Sequence, residues 1–216
     1  MPPTSAARNW ARNWARNRTG NAMFSQIAHL LIQTAFGLLV YTLLLRFYMQ
    51  ALRAPFRNPV GQLVTALTNW IVLPARRVIP GLMGFDLATF LLAWLAQAFM
   101  LTLLLWVRGT NLASAPGTAT GLLFGLAAIG LLQASLYLLI GVVLIQVLFS
   151  WFNPQVPIAP VLDALTRPFY TIFRRFVPPI GNVDLSPLFV LVLAQIALIL
   201  LDNLAPLLAR LVQAPV

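Results

Sequence analysis

Four long apolar runs constrain this chain more than any other feature of its sequence. They cover about residues 25–47, 86–107, 121–150 and 185–202 and hold almost no charged side chains. About 20 apolar residues are enough for an α-helix to cross the ~30 Å hydrocarbon core of a bilayer. Because lipid offers no partner to backbone N–H and C=O groups, such spans must be helical. The sequence therefore predicts an all-α membrane protein with four transmembrane (TM) helices.

The overall composition indicates the same class. Hydrophobic residues make up 60% of the chain and charged residues 8%, whereas soluble domains average about 25% charged residues. Every basic residue is Arg, every acidic residue is Asp, and the net charge is +10. Since the arginines flank apolar runs, we expect them to meet the anionic headgroups of the lipid bilayer, and no nucleic acid is expected.

A short basic pattern occurs twice, 98 positions apart. Residues 76–90 read RRVIPGLMGFDLATF, and residues 174–188 read RRFVPPIGNVDLSPL. Each copy follows a connector with helical spacing of apolar residues (within residues 50–85 and 158–173) and precedes an apolar run. Internal repeats set the architecture of a chain. We predict two parallel TM–amphipathic connector–TM repeats, at residues 23–110 and 121–205.

The remaining segments are short and polar or mixed. Residues 1–22 form a basic tail, residues 111–120 a linker and residues 206–216 a C-terminal tail. Three interpretations of the basic tail stay open: a helix on the membrane surface, a disordered segment, or a segment that precedes a translation start at Met23.

Some local expectations follow from helix geometry. Arg46 ends the first span, where its side chain can snorkel to the interface. Pro74 is expected to end the first connector helix. The third run would make a helix of ~43 Å, so it is either tilted or broken near Gly130. Gly121 and Gly125 have the spacing that permits close contact between membrane helices.

Arginine distribution predicts the orientation. The two connectors carry seven arginines, against two on the opposite side, or six if the basic tail is counted. Because an excess of arginine marks cytoplasmic loops, we expect the connectors in the cytoplasm.

Two glutamines occupy equivalent places inside the spans. Gln97 and Gln195 each lie 11 residues after an aspartate, Asp86 and Asp184, which places each pair on one helix face. A buried amide needs a partner, so these glutamines are expected to hold the bundle or a homo-oligomer together. The alternative is a polar path for an ion or water.

The aspartates and the arginine pairs also have two interpretations each. Asp86 and Asp184 are expected to cap the following helices, each paired with a nearby arginine; the alternative is a cation site. The pairs Arg76–Arg77 and Arg174–Arg175 are expected to set topology and bind lipid phosphates, and the alternative is docking of an acidic partner.

No catalytic chemistry is predicted. The chain has one histidine, His29, and no Cys, Lys or Glu. Because phosphate-binding and zinc-protease motifs are also missing, we predict no enzyme activity, no catalytic residues, no metal site and no cofactor.

One larger motif resembles a known family. Its residues in the second repeat are Ser150, Trp151, Asn153, Pro154, Arg174, Arg175, Pro178, Pro179, Gly181, Asp184, Ser186 and Pro187. Their equivalents in the first repeat are Arg76, Arg77, Pro80 and Asp86. The motif is similar to that of the YggT (YlmG-like) family of small integral membrane proteins. The resemblance implies a multi-pass protein of the bacterial inner (cytoplasmic) membrane.

The resemblance also implies roles that composition does not. Bacterial members are associated with osmotic-shock tolerance and potassium uptake, and relatives are associated with cell division, plastid nucleoids and cytochrome assembly. Two functions stay open: a scaffold or assembly factor that acts through a homo-oligomer or a membrane-protein partner, and a channel or transporter component for potassium or another small ion. The spans offer amides at depth rather than carboxylates, which favours the scaffold.

Overall fold

The fold is a bundle of long helices joined by two shorter ones. A computed structural model describes residues 5–79, 86–108, 116–153, 155–176 and 184–213. Its helices are α1 Ser5–Ala51, α2 Pro59–Val78, α3 Leu87–Val107, α4 Pro116–Phe152, α5 Ala159–Phe176 and α6 Ser186–Gln213. No strand occurs in these ranges, so the all-α class is confirmed.

Four of the helices are long and apolar enough to cross a membrane. These spans are Met23–Ala51, Leu87–Val107, Thr120–Phe152 and Ser186–Leu204. The prediction of four spans is confirmed, with ends that differ from the predicted ones by a few residues. α4 runs unbroken past Gly130. The alternative that this long span is broken near Gly130 is therefore wrong. The backbone of the basic tail is helical from Ser5 onward and continues into the first span.

The connector helices α2 and α5 begin and end for identifiable reasons. Asn58 caps α2 by accepting a hydrogen bond from the N–H of Gly61 at 2.9 Å, and Pro59 occupies the first turn. The expectation that Pro74 ends this helix is wrong, because α2 continues to Val78. Proline inside a helix removes one backbone hydrogen bond and crowds the carbonyl of the preceding turn, but the buried Val72 holds that turn in the core.

The centre of the bundle lies between α1, α3 and α4. Val40, Leu43 and Leu44 of α1 are almost fully buried, and they pack with Ala93 of α3 and Leu131 of α4. α6 packs against α4 and α5, and it makes no contact with α1 or α3 in the described part of the chain. α6 is therefore an edge helix, whereas α3 is covered by α1, α2 and α4.

Candidate functional site

A buried aspartate, Asp86, lies directly before α3 and is bound by an arginine near the end of α2. Asp86 is 3% exposed, and Arg76 donates to its Oδ2 through Nε at 3.1 Å and through Nη2. Thr89 donates its backbone N–H to Oδ1 at 3.3 Å and its hydroxyl to Oδ2. Arg76 also donates to Gln50 Oε1 at 2.8 Å. This first corner (Arg76, Asp86 and Thr89) ties the end of α2 to the start of α3 and to the end of α1.

An equivalent ion pair joins the end of α5 to the residues before α6, and its side chains are more exposed. Arg174 donates to Asp184 Oδ2 through Nε at 2.9 Å and Nη2 at 2.6 Å, and the Ser186 N–H donates to Oδ1 at 2.9 Å. The side chains of Arg174 and Asp184 are 59% and 35% exposed. The Arg174 guanidinium also lies 5.7 Å from the ring centroid of Tyr170. This second corner (Arg174, Asp184 and Ser186) is therefore more accessible to water.

Both aspartates are held in their charged form. Burial raises the pKa of Asp86, but hydrogen bonds from Arg76 and Thr89 outweigh it, so the pKa is lowered overall. For Asp184, burial is likewise outweighed by hydrogen bonds from Ser186 and Arg174, and its pKa is also lowered. The geometry thus favours the capping and pairing interpretation over a cation site, because each carboxylate already accepts hydrogen bonds from an arginine.

Arg46 does not snorkel, so that expectation is wrong. Its side chain is 5% exposed, and its Nη1 donates to Thr68 Oγ1 at 2.6 Å and to Asn69 Oδ1 at 2.8 Å. The physical reason is that α2 packs against α1 and offers two side-chain oxygens within hydrogen-bonding distance of the guanidinium. Sequence reasoning missed this site, although the match between Thr68 and Thr166 in the two connectors was a usable signal.

The two equivalent glutamines have different surroundings. Gln97 is 7% exposed, and its amide packs against Gly130 of α4 so closely that a Cβ on Gly130 would overlap it. Gln195 is exposed on the outer side of α6. The close helix contact in the described part of the chain therefore lies at Gly130. A Cβ on Gly121 or Gly125 would meet no atom within 4 Å there, so a close contact of these two glycines with another helix stays a prediction.

We expect Gly130→Ala to be less stable than Gly141→Ala by roughly 1–2 kcal/mol, the usual cost of overpacking, because both alanines gain the same helix propensity and only the first meets a buried side chain. The new methyl group would displace the Gln97 amide. The free energy of unfolding in detergent micelles measures the effect. Gly141→Ala on the same helix is the matched control, because its Cβ meets no atom within 4 Å. Combining Gly130→Ala with Gln97→Ala should remove the loss; a loss that persists would contradict the overlap.

Other amides of α4 link it to its neighbours. Gln146 donates to Asp163 at 3.1 Å and accepts from the Thr166 hydroxyl at 2.7 Å, both on α5. Gln133 donates to Asp202 of α6 at 2.7 Å. With the two corners, each of the four acidic residues of the chain thus has a hydrogen-bonding partner.

The other motif residues that the structure describes lie at the ends of helices. Ser150 donates to the Val147 carbonyl at 2.7 Å, Trp151 is exposed, and Asn153 accepts from the Gln155 N–H at 3.1 Å. Pro187 is in the first turn of α6. Arg77 and Arg175 are exposed. The predicted motif residues that fall outside the described part of the chain are Pro80, Pro154, Pro178, Pro179 and Gly181.

Comparisons with known proteins support the resemblance. A family model described as CCB3/YggT matches residues 25–107 and residues 125–205. A curated protein of Vibrio alginolyticus, "Uncharacterized protein in proC 3'region", is 34% identical over 81% of this chain and 92% of its own length. YggT of Escherichia coli (strain K12) is 34% identical over 77% of this chain and 84% of its own length.

A plant relative matches a shorter segment. The chloroplastic YlmG homolog protein 2 of Arabidopsis thaliana is 41% identical over 22% of this chain and 19% of its own length. No solved structure matches the chain. Because the family model covers well over half of the residues, and bacterial relatives match most of the chain, this four-span helical protein belongs to the CCB3/YggT family.

Proposed function

We propose that this protein is a non-enzymatic scaffold or assembly factor of the bacterial inner membrane, and that it works as a homo-oligomer. The observation that carries the proposal is the exposed amide of Gln195 on the outer side of α6. The association of bacterial family members with osmotic-shock tolerance supports a role in that response.

The surroundings of Gln195 favour a second membrane helix. It lies among exposed apolar side chains of the same span, which include Val192, Ile196 and Ile199. An amide that faces hydrocarbon has no hydrogen-bonding partner, and the unsatisfied groups are costly. A side-chain amide has both donors and an acceptor. Two copies of Gln195 can therefore satisfy each other across a two-fold axis, the commonest symmetry of oligomers.

Three further polar side chains in the spans support a structural role. Arg46 bonds to α2, Gln133 bonds to α6, and Gln146 bonds to α5. Each of these side chains holds two helices of the same chain together. An amide that faces outward on α6 is consistent with the same use between two chains.

The proposed orientation places both connectors on the cytoplasmic side. The seven connector arginines favour it under the positive-inside rule. α2 then presents exposed Leu63, Trp70 and Leu73 to the membrane surface, as amphipathic helices at an interface do. The scaffold would thus have a basic cytoplasmic face and an α6 contact within the bilayer.

The contact can be tested by disulfide cross-linking, because the chain has no native cysteine. We expect Ile199→Cys, one turn from Gln195, to form a covalent dimer in membranes under oxidising conditions. The control is Leu38→Cys on α1, since Leu38 and Ile199 have similar exposure, 57% and 59%. Adding Gln195→Leu to Ile199→Cys should lower the dimer fraction several-fold, in line with ~1–2 kcal/mol for an amide contact. Equal cross-linking of both cysteines would contradict the proposal.

A further inference from the structure

Two adjoining cavities of opposite character lie between the end of α1 and α5. The basic cavity has a volume of about 730 Å³ and is lined by Arg53, Arg167 and Arg175. The apolar cavity has a volume of about 320 Å³ and extends between α1, α4 and α5. Leu52 and Pro168 line both cavities. One surface therefore offers cationic groups directly beside a hydrocarbon-lined space.

The arginines of the basic cavity form no ion pair with any residue in the described part of the chain. The ion pairs among the described residues are Arg76–Asp86 and Arg174–Asp184. The other two aspartates, Asp163 and Asp202, accept hydrogen bonds from glutamines of α4. Three arginines thus line one cavity, and among the described residues no carboxylate lies within ion-pair distance of them, so their charge calls for an external anion.

The apolar cavity narrows the choice of anion. Its lining includes Tyr48, Leu136, Leu139, Val142 and Phe169, and its walls are almost wholly apolar. A soluble phosphate would leave this space without a ligand group. A phospholipid would place its phosphate among the arginines and an acyl chain against the apolar walls.

We propose that this protein binds one anionic phospholipid, with the phosphate held by Arg53, Arg167 and Arg175 and an acyl chain in the adjoining apolar cavity. The site goes beyond the scaffold function, and its test is independent of the α6 contact. The cavity arginines are distinct from the two corners, where arginine is bound to aspartate.

Arg53 ends α1 in a left-handed C-cap, in which its N–H donates to the Gln50 carbonyl at 3.2 Å and the Ala54 N–H donates to the Met49 carbonyl at 2.7 Å. Its φ is +54°, the one positive φ of a non-glycine residue among the described residues. That region of backbone conformation is unfavourable for residues other than Gly, Asn or Asp. Arg53→Gly should therefore relieve backbone strain and raise the melting temperature, while it weakens lipid binding. An arginine that only caps α1 would give the rise in melting temperature without the loss of lipid binding.

The probe for the main test is phosphatidylglycerol. The full-length protein is reconstituted with equal parts of phosphatidylglycerol and phosphatidylcholine, extracted in mild detergent and measured by native mass spectrometry. We expect one phosphatidylglycerol per chain. Arg167→Gln combined with Arg175→Gln should weaken its retention roughly tenfold or more. Arg57→Gln combined with Arg77→Gln is the control, because it removes the same charge from exposed arginines outside the cavity.

A second pair of variants tests the acyl chain. Leu136→Trp fills the apolar cavity and should lower retention, whereas Leu144→Trp, at an exposed position of the same helix that does not line the cavity, should not. Equal losses of lipid retention in the two double arginine variants would show general electrostatic attraction and contradict a specific site. Competition by glycerol phosphate as effective as by the lipid would show a site for free phosphate instead. Retention of an acidic protein without lipid would also contradict the proposal.

Discussion

Asp86→Asn is expected to lower the free energy of unfolding by about 2 kcal/mol. Asparagine still caps a helix, so the variant isolates the ion pair with Arg76. Removing one partner of a fully buried pair costs roughly 3–5 kcal/mol, but the side chain of Arg76 is 37% exposed and water compensates part of the loss. Unfolding measured by steric trapping in bicelles gives the value.

The second corner supplies the matched control for this prediction. Asp184→Asn removes the same interaction at a site where both side chains are more exposed, so the expected loss is about 1 kcal/mol or less. A larger loss for Asp184→Asn than for Asp86→Asn would contradict the argument from burial.

The pH dependence of the first corner has a definite sign. The pKa of Asp86 is lowered in the folded protein, so its contribution to stability is fully present above the unfolded pKa of about 3.9. That contribution is lost as the pH falls through the folded pKa. The free energy of unfolding of Asp86→Asn, measured as a function of pH, should therefore fall less in acid than that of the unchanged protein.

Thr68→Val is expected to lower the free energy of unfolding by about 2 kcal/mol. The change keeps the shape of a fully buried side chain and removes the oxygen that accepts from Arg46 at 2.6 Å. Hydrogen bonds to charged groups contribute roughly 1.5–3 kcal/mol, and a buried charge without its partner is costly. Thermal unfolding in detergent measures this change in stability.

Two further variants separate this effect from the loss of a hydroxyl group. Thr65→Val, one turn earlier on α2, removes a hydroxyl that bonds only to backbone carbonyls of its own helix, so its expected cost is within about 0.5 kcal/mol. Arg46→Met should largely suppress the cost of Thr68→Val, because no buried charge then remains. Additive losses in the double variant would show that Arg46 does not depend on Thr68.

The spans and connectors could be predicted from the sequence because they depend on local pattern. The lengths of the apolar runs and the helical spacing of residues 158–173 depend on no distant contact. The capping role of Asp86 followed in the same way from its place before an apolar run, whereas Asp184 lies two residues before α6 and accepts a hydrogen bond from the Ser186 N–H. The arrangement as two parallel repeats stays a prediction.

The parts that could not be predicted depend on which helix lies beside which. Gln97 and Gln195 have the same spacing from an aspartate, yet α4 covers one and leaves the other exposed. Arg46 was expected to snorkel because its position at a helix end does not show that α2 folds back beside it. The basic cavity joins Arg53 to two arginines more than 100 positions away, a proximity that no local pattern indicates.

The central claim, a scaffold rather than an ion pathway, is tested most directly by rubidium flux. The purified protein is reconstituted in liposomes, and flux is measured under an osmotic gradient with the Ile199→Cys cross-link as evidence of correct assembly. The scaffold predicts the same flux as protein-free liposomes. Flux above that level, which falls when Gln97 and Gln195 are replaced by Leu, would contradict the scaffold and make the protein a channel or transporter component.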